Sequence, residues 1–292
     1  MTKLFDTHAH LDFPQIDRDR EALITELREQ GLAVVNVGVD LKSSQASLEL
    51  ARAHPHVFAA CGIHPHEAKN FSPEVAERLE ELLGDAVAVG EIGLDYYRNL
   101  SPKEAQLSAF RAQLRLAQRL DLPVILHYRE AGEDFFRVLE EVAPLRGVWH
   151  AFSGDLTLAR RAIDLGLHLG IGGPLTYRKN EPTRQAVKEV PLERLLLETD
   201  APFLPPEPFR GKRNDPLKVR LVALRLAELL GLSLEEVAAA TYENACRLFG
   251  VRPEFGGKEV KREGVFGHRQ PGGDPGALRV HRWGDHQPHP GG

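Results

Sequence analysis

The chain has 292 residues, 42% of them hydrophobic and 27% charged, with a formal net charge of −5. This is the balance of an ordinary globular protein, and no run approaches the roughly 18 apolar residues that would span a bilayer. The acidic balance excludes a broadly basic nucleic-acid coat, but leaves room for a cleft made locally positive by side chains or bound metal ions.

The start of the chain lacks a basic segment followed by an apolar one, so no signal peptide is expected. Cys61 and Cys246 are too few and too far apart for a disulfide framework. A reducing cytoplasm is the expected setting.

Short strands rich in Val, Ile and Leu are predicted near 3–6, 33–38 (AVVNVG), 57–62 (VFAACG), 86–91 (AVAVGE), 123–127 (PVILH), 147–151 (GVWHA), 167–171 (LHLGI) and 194–199 (RLLLET). They are apolar on both faces, as buried parallel strands are. Amphipathic segments lie between them. Ser72-Pro73-Glu74 opens a helix over 73–83, with Gly84 beyond its end. Ser101-Pro102-Lys103-Glu104 reads as a capping box opening a helix to Leu120, and Ser233 with Glu236 opens the last helix, to about Phe249.

Eight strands alternating with helices predict an α/β fold: a single (β/α)8 TIM barrel over 1–250, with its active site at the C-terminal ends of the strands. The competing topology is a doubly wound open sheet, but no Gly-x-Gly-x-x-Gly loop follows a strand. The remainder, 251–292, is rich in Gly, Pro and His and has no apolar period. It reads as a disordered tail whose four histidines, His268, His281, His286 and His289, are solvated.

The unusual polar residues fall on this map in one place. His8 and His10 of FDTHAHLD follow strand 1 and share a strand face. Glu91 ends strand 4, His127 ends strand 5, His150 ends strand 6 and Asp200 ends strand 8. Four histidines and two carboxylates at the carboxyl ends of barrel strands point to metal binding. Six ligands exceed one tetrahedral ion and suit two ions sharing a carboxylate. Glu91 is the natural bridge, because a carboxylate offers two oxygens and an imidazole one free nitrogen. The donor set suits Mg, Mn or Zn and leaves the identity open.

The same segments carry a family resemblance. DTHAHLD, GIHPHEA, GEIGLDYYR, LHYREA, HAFSG, LLLETDAP and RGKRNDP resemble the signature segments of the TatD family of metal-dependent deoxyribonucleases, within the amidohydrolase-like barrel group. YENACRLFG is similar to that family's closing helix. Glu130 stands where Asp is frequent, and Asp215 where Glu is frequent. The resemblance implies that His8, His10 and Asp200 hold one ion, His127 and His150 the other, and that Glu91 spans both. It also implies cleavage of DNA, as a 3′-5′ exonuclease on single strands.

Such chemistry needs a metal-activated water, for which Asp200 is the candidate proton acceptor, with Glu91 the second catalytic carboxylate. His64, after strand 3, is a candidate contact to the substrate phosphate or leaving group; Arg98, Arg210, Lys212 and Arg213 supply positive charge for the strand. Asp6 and Asp12 are candidates for orienting the histidines or nearby loops, and Tyr96 and Tyr97 for stacking on bases. Two other readings use the same residues. One is a metal-dependent esterase or amidohydrolase, such as an aminoacyl-tRNA deacylase; the other is a non-catalytic, metal-dependent nucleic-acid-binding barrel. The oligomeric state is not legible.

Overall fold

The computed structural model describes residues 1–256; the reading of a disordered tail lies, from residue 257 on, outside the described residues. Strands and helices alternate in order: β1 (Leu4–Ala9), α1 (Arg20–Glu29), β2 (Leu32–Val37), α2 (Leu41–Ala53), β3 (Val57–Cys61), α3 (Pro73–Leu83), β4 (Ala88–Asp95) and α4 (Lys103–Leu120). The second half continues with β5 (Val124–Arg129), α5 (Gly132–Val142), β6 (Gly147–Trp149), α6 (Leu156–Asp164), β7 (Leu167–Ile171), α7 (Glu181–Glu189), β8 (Leu195–Leu197), α8 (Val219–Leu230) and α9 (Leu234–Phe249).

The strands hydrogen-bond in chain order from β1 to β8, each parallel to the next. Beyond β8 the chain returns to β1. Ala9 bridges Ala201, the His10 amide donates to the Ala201 carbonyl at 2.8 Å, and the Asp200 amide to the His8 carbonyl at 2.7 Å. The sheet is therefore a nearly closed (β/α)8 barrel, not the open sheet.

Two apolar layers hold it together, because strand side chains alternate between faces. Phe5, Val35, Phe58, Ile125, Val148 and Leu196 fill the barrel interior, where Tyr242 and Phe249 of α9 join them from below. Leu4, Val34, Val89, Leu126, Trp149 and Leu169 face outward onto the helices, among them Phe110 of α4 and Phe135 of α5. The packing runs past residue 250: Val251 is buried and Phe255 lies against the interior cluster.

The capping signals are right for α3 and α9, where Ser72 accepts from the Val75 amide and Ser233 and Glu236 form a reciprocal box. They mislead for α4. Ser101 there donates to the His66 carbonyl at 2.9 Å and accepts from the Lys69 amide at 3.0 Å, so it ties down the loop after β3 and caps nothing. A tertiary contact has taken the hydroxyl that local sequence assigns to the helix.

Candidate metal centre

The site is made by two irregularities in the sheet. Between Asp6 and Ala9, β1 has one more residue than β2 opposite it, and between Val89 and Ile92, β4 has one more than β5. Phe5 and Ala88 point into the barrel below these bulges. Three residues later His8 and Glu91 also point inward, a spacing that regular alternation forbids. β4 then continues to Asp95, pairing Ile92–Asp95 with Leu126–Arg129, so Glu91 does not end its strand as expected. At Gly93 the chain has a φ of 150°, and a Cβ there would collide with the His127 carbonyl oxygen. Glycine lets β4 lie close to β5 at the level of the site.

Glu91, Asp200, His8, His10, His127 and His150 converge at the mouth. Glu91 Oε1 lies 3.1 Å from His8 Nε2 and 3.8 Å from His10 Nε2; Asp200 Oδ1 lies 3.5 Å and 3.3 Å from the same two nitrogens. Donors about 2.1 Å from one tetrahedral ion stand about 3.4 Å apart, so the four atoms have the spacing of a single coordination shell. The other oxygen of Glu91 faces a second set. Oε2 lies 2.9 Å from His127 Nδ1, 3.4 Å from His64 Nε2 and 3.9 Å from His150 Nε2.

Polar contacts on the far side of the His10, His127 and His150 rings leave the other nitrogen of each facing inward. His10 Nδ1 donates to the Val37 carbonyl at 2.8 Å, leaving Nε2 as the ligand atom. His127 Nε2 is 2.9 Å from Asp95 Oδ2, leaving Nδ1. His150 Nδ1 is 2.9 Å from Glu198 Oε1, leaving Nε2. His64 is the exception. Its Nδ1 accepts from the His66 amide at 3.0 Å, so the neutral ring presents Nε2–H to the site as a donor. Nδ1 of His8 and Nδ1 of His150 are both buried without a hydrogen bond among the described residues, the latter held beside Glu198 as an ion-pair contact.

Burial by itself lowers the pKa of an imidazole and raises that of a carboxyl. Burial wins at His64, pressed down to about 4, and with His150 it lowers His8. It loses at His150, which Glu198, Asp200 and Glu91 push up to about 10. It loses also at His10 beside Asp200 and at His127 beside Asp95 and Glu91, both raised. Burial opposes the charges of Glu91 and Asp200 as well, yet the imidazoles hold both carboxyls below their usual range. The buried carboxylates favour the charged form of the His10, His127 and His150 rings, and divalent cations would supply the same positive charge while leaving those rings as ligands. The residues fit metal ions.

Asp95 and Glu198 belong to the centre and were missed in the sequence. The signal existed, because Asp95 is four residues beyond Glu91 and Glu198 two before Asp200, each a same-face spacing on a strand. His66, also unassigned, lies with its Nε2 3.0 Å from Asp95 Oδ2. Asp6 does not touch the histidine rings. It accepts from the His8 amide at 3.1 Å and from the Thr199 amide at 2.9 Å, stitching β1 to the segment after β8, and burial raises its carboxyl to about 8. Asp12 accepts from Asn36 at 2.9 Å.

The basic residues divide. Arg213 pairs with Asp19 at 2.7 Å through both terminal nitrogens. Arg210 lies over the Tyr177 ring at 4.0 Å, and Lys212 and Arg98 are exposed. Tyr96 donates to Asp134 at 2.7 Å, while exposed Tyr97 carries Arg129 on its face at 3.9 Å.

Comparison with known proteins decides the family. The family model described as "TatD related DNase" matches residues 5–250. The chain belongs to the TatD family. A metal-dependent hydrolase of Bacillus subtilis, YabD, uncharacterized beyond that description, is 41% identical over 253 residues, covering 85% of this chain and 99% of that protein. The 3′-5′ ssDNA/RNA exonuclease TatD of Erwinia amylovora is 38% identical over 259 residues, covering 85% and 100%. The crystal structure of the TatD homolog YjjV from Escherichia coli superposes with a TM-score of 0.81 at 36% identity, over 86% of this chain and 99% of that one. This TatD-family protein is thus a metal-dependent hydrolase with histidine and glutamate groups able to bind metal. No helix among the described residues is long and apolar enough to cross a membrane.

Proposed function

We propose that this chain is a binuclear nuclease that hydrolyses phosphodiester bonds of single-stranded DNA from the 3′ end. One observation carries the reading: the two oxygens of Glu91 lie against different imidazoles, Oε1 against His8 and His10 and Oε2 against His127, with His150 between Glu91 Oε2 at 3.9 Å and Asp200 Oδ1 at 3.5 Å. His8, His10 and Asp200 would hold one ion, His127 and His150 the other, and Glu91 would be the ligand shared by both. The substrate class follows the name of the Erwinia relative, an exonuclease on single-stranded DNA and RNA.

When bound, the ions lower the pKa of water from 15.7 toward about 7 and offset phosphate charge. The protein's own groups do the rest. Asp200 accepts the proton of the attacking water. His64 Nε2–H donates to a phosphate oxygen, and its low pKa keeps the ring a neutral donor across the physiological range. Arg210 and Lys212, on the loop after β8, attract the strand that leads away from the site.

The test is release of nucleotides from a 5′-labelled single-stranded oligodeoxynucleotide, after chelation and after adding back Mg, Mn or Zn. A ladder shortening from the 3′ end, absent in Glu91→Ala and Asp200→Ala, is the expected result. Wild-type protein that cuts nothing with any of the three metals overturns the nuclease reading.

A further inference from the structure

Beside the candidate ligand His10 stands a ladder of aromatic rings. Phe13, on the loop after β1, stacks on His10 with centroids 4.6 Å apart and planes inclined by 20°. Phe203, on the loop after β8, makes a T-shaped contact with Phe13 at 5.8 Å and lies 6.4 Å from His10. Phe203 remains 41% exposed.

A solitary exposed phenylalanine needs no explanation. Phe203, however, is held in its exposed position. Its amide donates to the Asp200 carbonyl at 2.8 Å, and Asn214 Nδ2 donates to the Phe203 carbonyl at 2.8 Å and to the Thr199 carbonyl at 2.8 Å. Asn214 is fully buried. The ring therefore rides on a pinned turn that begins at a candidate ligand, Asp200. Arg210 and Lys212, both exposed, follow seven and nine residues further along the same loop, with Arg210 over the Tyr177 ring.

We infer that Phe203, backed by Phe13, is the stacking platform for a base flanking the scissile phosphate, so that the enzyme requires an unpaired base at the strand end. This rests on the nuclease reading above and adds a specificity-determining residue to it. An exposed aromatic ring suits any base, because all four have π-faces, and suits only bases unstacked from a duplex. Charge complementarity with the flanking phosphates favours a nucleic-acid strand as the occupant.

The experiment compares two 5′-labelled single-stranded oligodeoxynucleotides. One is ordinary; the other has tetrahydrofuran abasic units as its two 3′-terminal nucleotides. Wild type, Phe203→Ala and Phe203→Trp are assayed on both with Mn. The wild type is expected to prefer the ordinary end about 10-fold in kcat/KM, mainly through KM, the size of effect that one stacked base contributes. Phe203→Ala brings that ratio close to one, and Phe203→Trp restores it. Equal wild-type rates on both oligomers overturn the stacking proposal alone, as does a ratio kept by Phe203→Ala. Cleavage of neither overturns the nuclease reading and this inference with it.

Discussion

His127 is held between two carboxylates: its Nε2 lies 2.9 Å from Asp95 Oδ2 and its Nδ1 2.9 Å from Glu91 Oε2. Asp95 is itself fixed, by the Arg98 amide donating to Oδ1 at 2.8 Å and by Gln106, whose Oε1 accepts from the Asp95 amide at 2.8 Å. This carboxylate orients His127 so that Nδ1 faces the metal centre. Asp95→Asn is expected to weaken Mn binding about 10- to 100-fold, the usual result of removing the group that orients a ligating imidazole. Titration calorimetry on metal-free protein measures it directly. An unchanged Kd, with circular dichroism showing a folded variant, would refute the assignment.

The bridging role proposed for Glu91 gives a stoichiometric prediction. Glu91→Gln has one carbonyl oxygen where the carboxylate has two, and its amide nitrogen cannot ligate. Bound metal, measured by elemental analysis after dialysis against micromolar Zn, should fall from two ions per chain toward one. Turnover of DNA should fall at least about 100-fold, the scale of losing a group that acts on the reacting atoms. Two ions retained by Glu91→Gln would show that the carboxylate is no bridge.

Arg210 and Lys212 are assigned to the phosphates outside the scissile bond. Replacing both by Ala should weaken binding of oligomers of every sequence alike. The slope of log Kd against log salt should fall by about 0.7 for each phosphate that is no longer neutralised. Fluorescence anisotropy at several salt concentrations reads both quantities. Arg213→Ala, whose side chain pairs with Asp19, should leave the slope unchanged.

A pH prediction concerns His168 on β7, away from the metal centre. Burial and the charges of Arg194 and Arg247 press its pKa down to about 4, against an ordinary 6.5. Between these values the unfolded chain takes up a proton that the folded ring refuses. Stability is therefore lost as pH falls from 6.5 to 4, by on the order of 1–3 kcal/mol. His168→Gln removes the titrating group, so urea midpoints should decline less steeply over that window. Parallel declines would assign the acid sensitivity to other groups.

Much of this molecule is legible locally. The alternation of buried strands with amphipathic helices specifies a parallel barrel, since strands apolar on both faces can be satisfied only by helices outside and neighbouring strands inside. The chemistry-bearing residues at the carboxyl ends of those strands point to the candidate metal centre, because the barrel delivers all of them to one mouth.

Other features depended on contacts that no local pattern encodes. Strict alternation puts Phe5 and His8 on opposite faces, and likewise Ala88 and Glu91; the bulges in β1 and β4 reverse this. A bulge is a property of a strand pair, decided by how each strand registers on its neighbour. Ser101 carried a sequence signal for a helix cap and found a tertiary partner instead, and Arg213 gained a partner in Asp19 that no local pattern announces. Asp95 and Glu198 became parts of the centre only when folding set them against His127 and His150. The residue types and their order decide which metal chemistry is possible; the register of the closed sheet decides which oxygen and which nitrogen face each other, because those distances are set between strands and not along them.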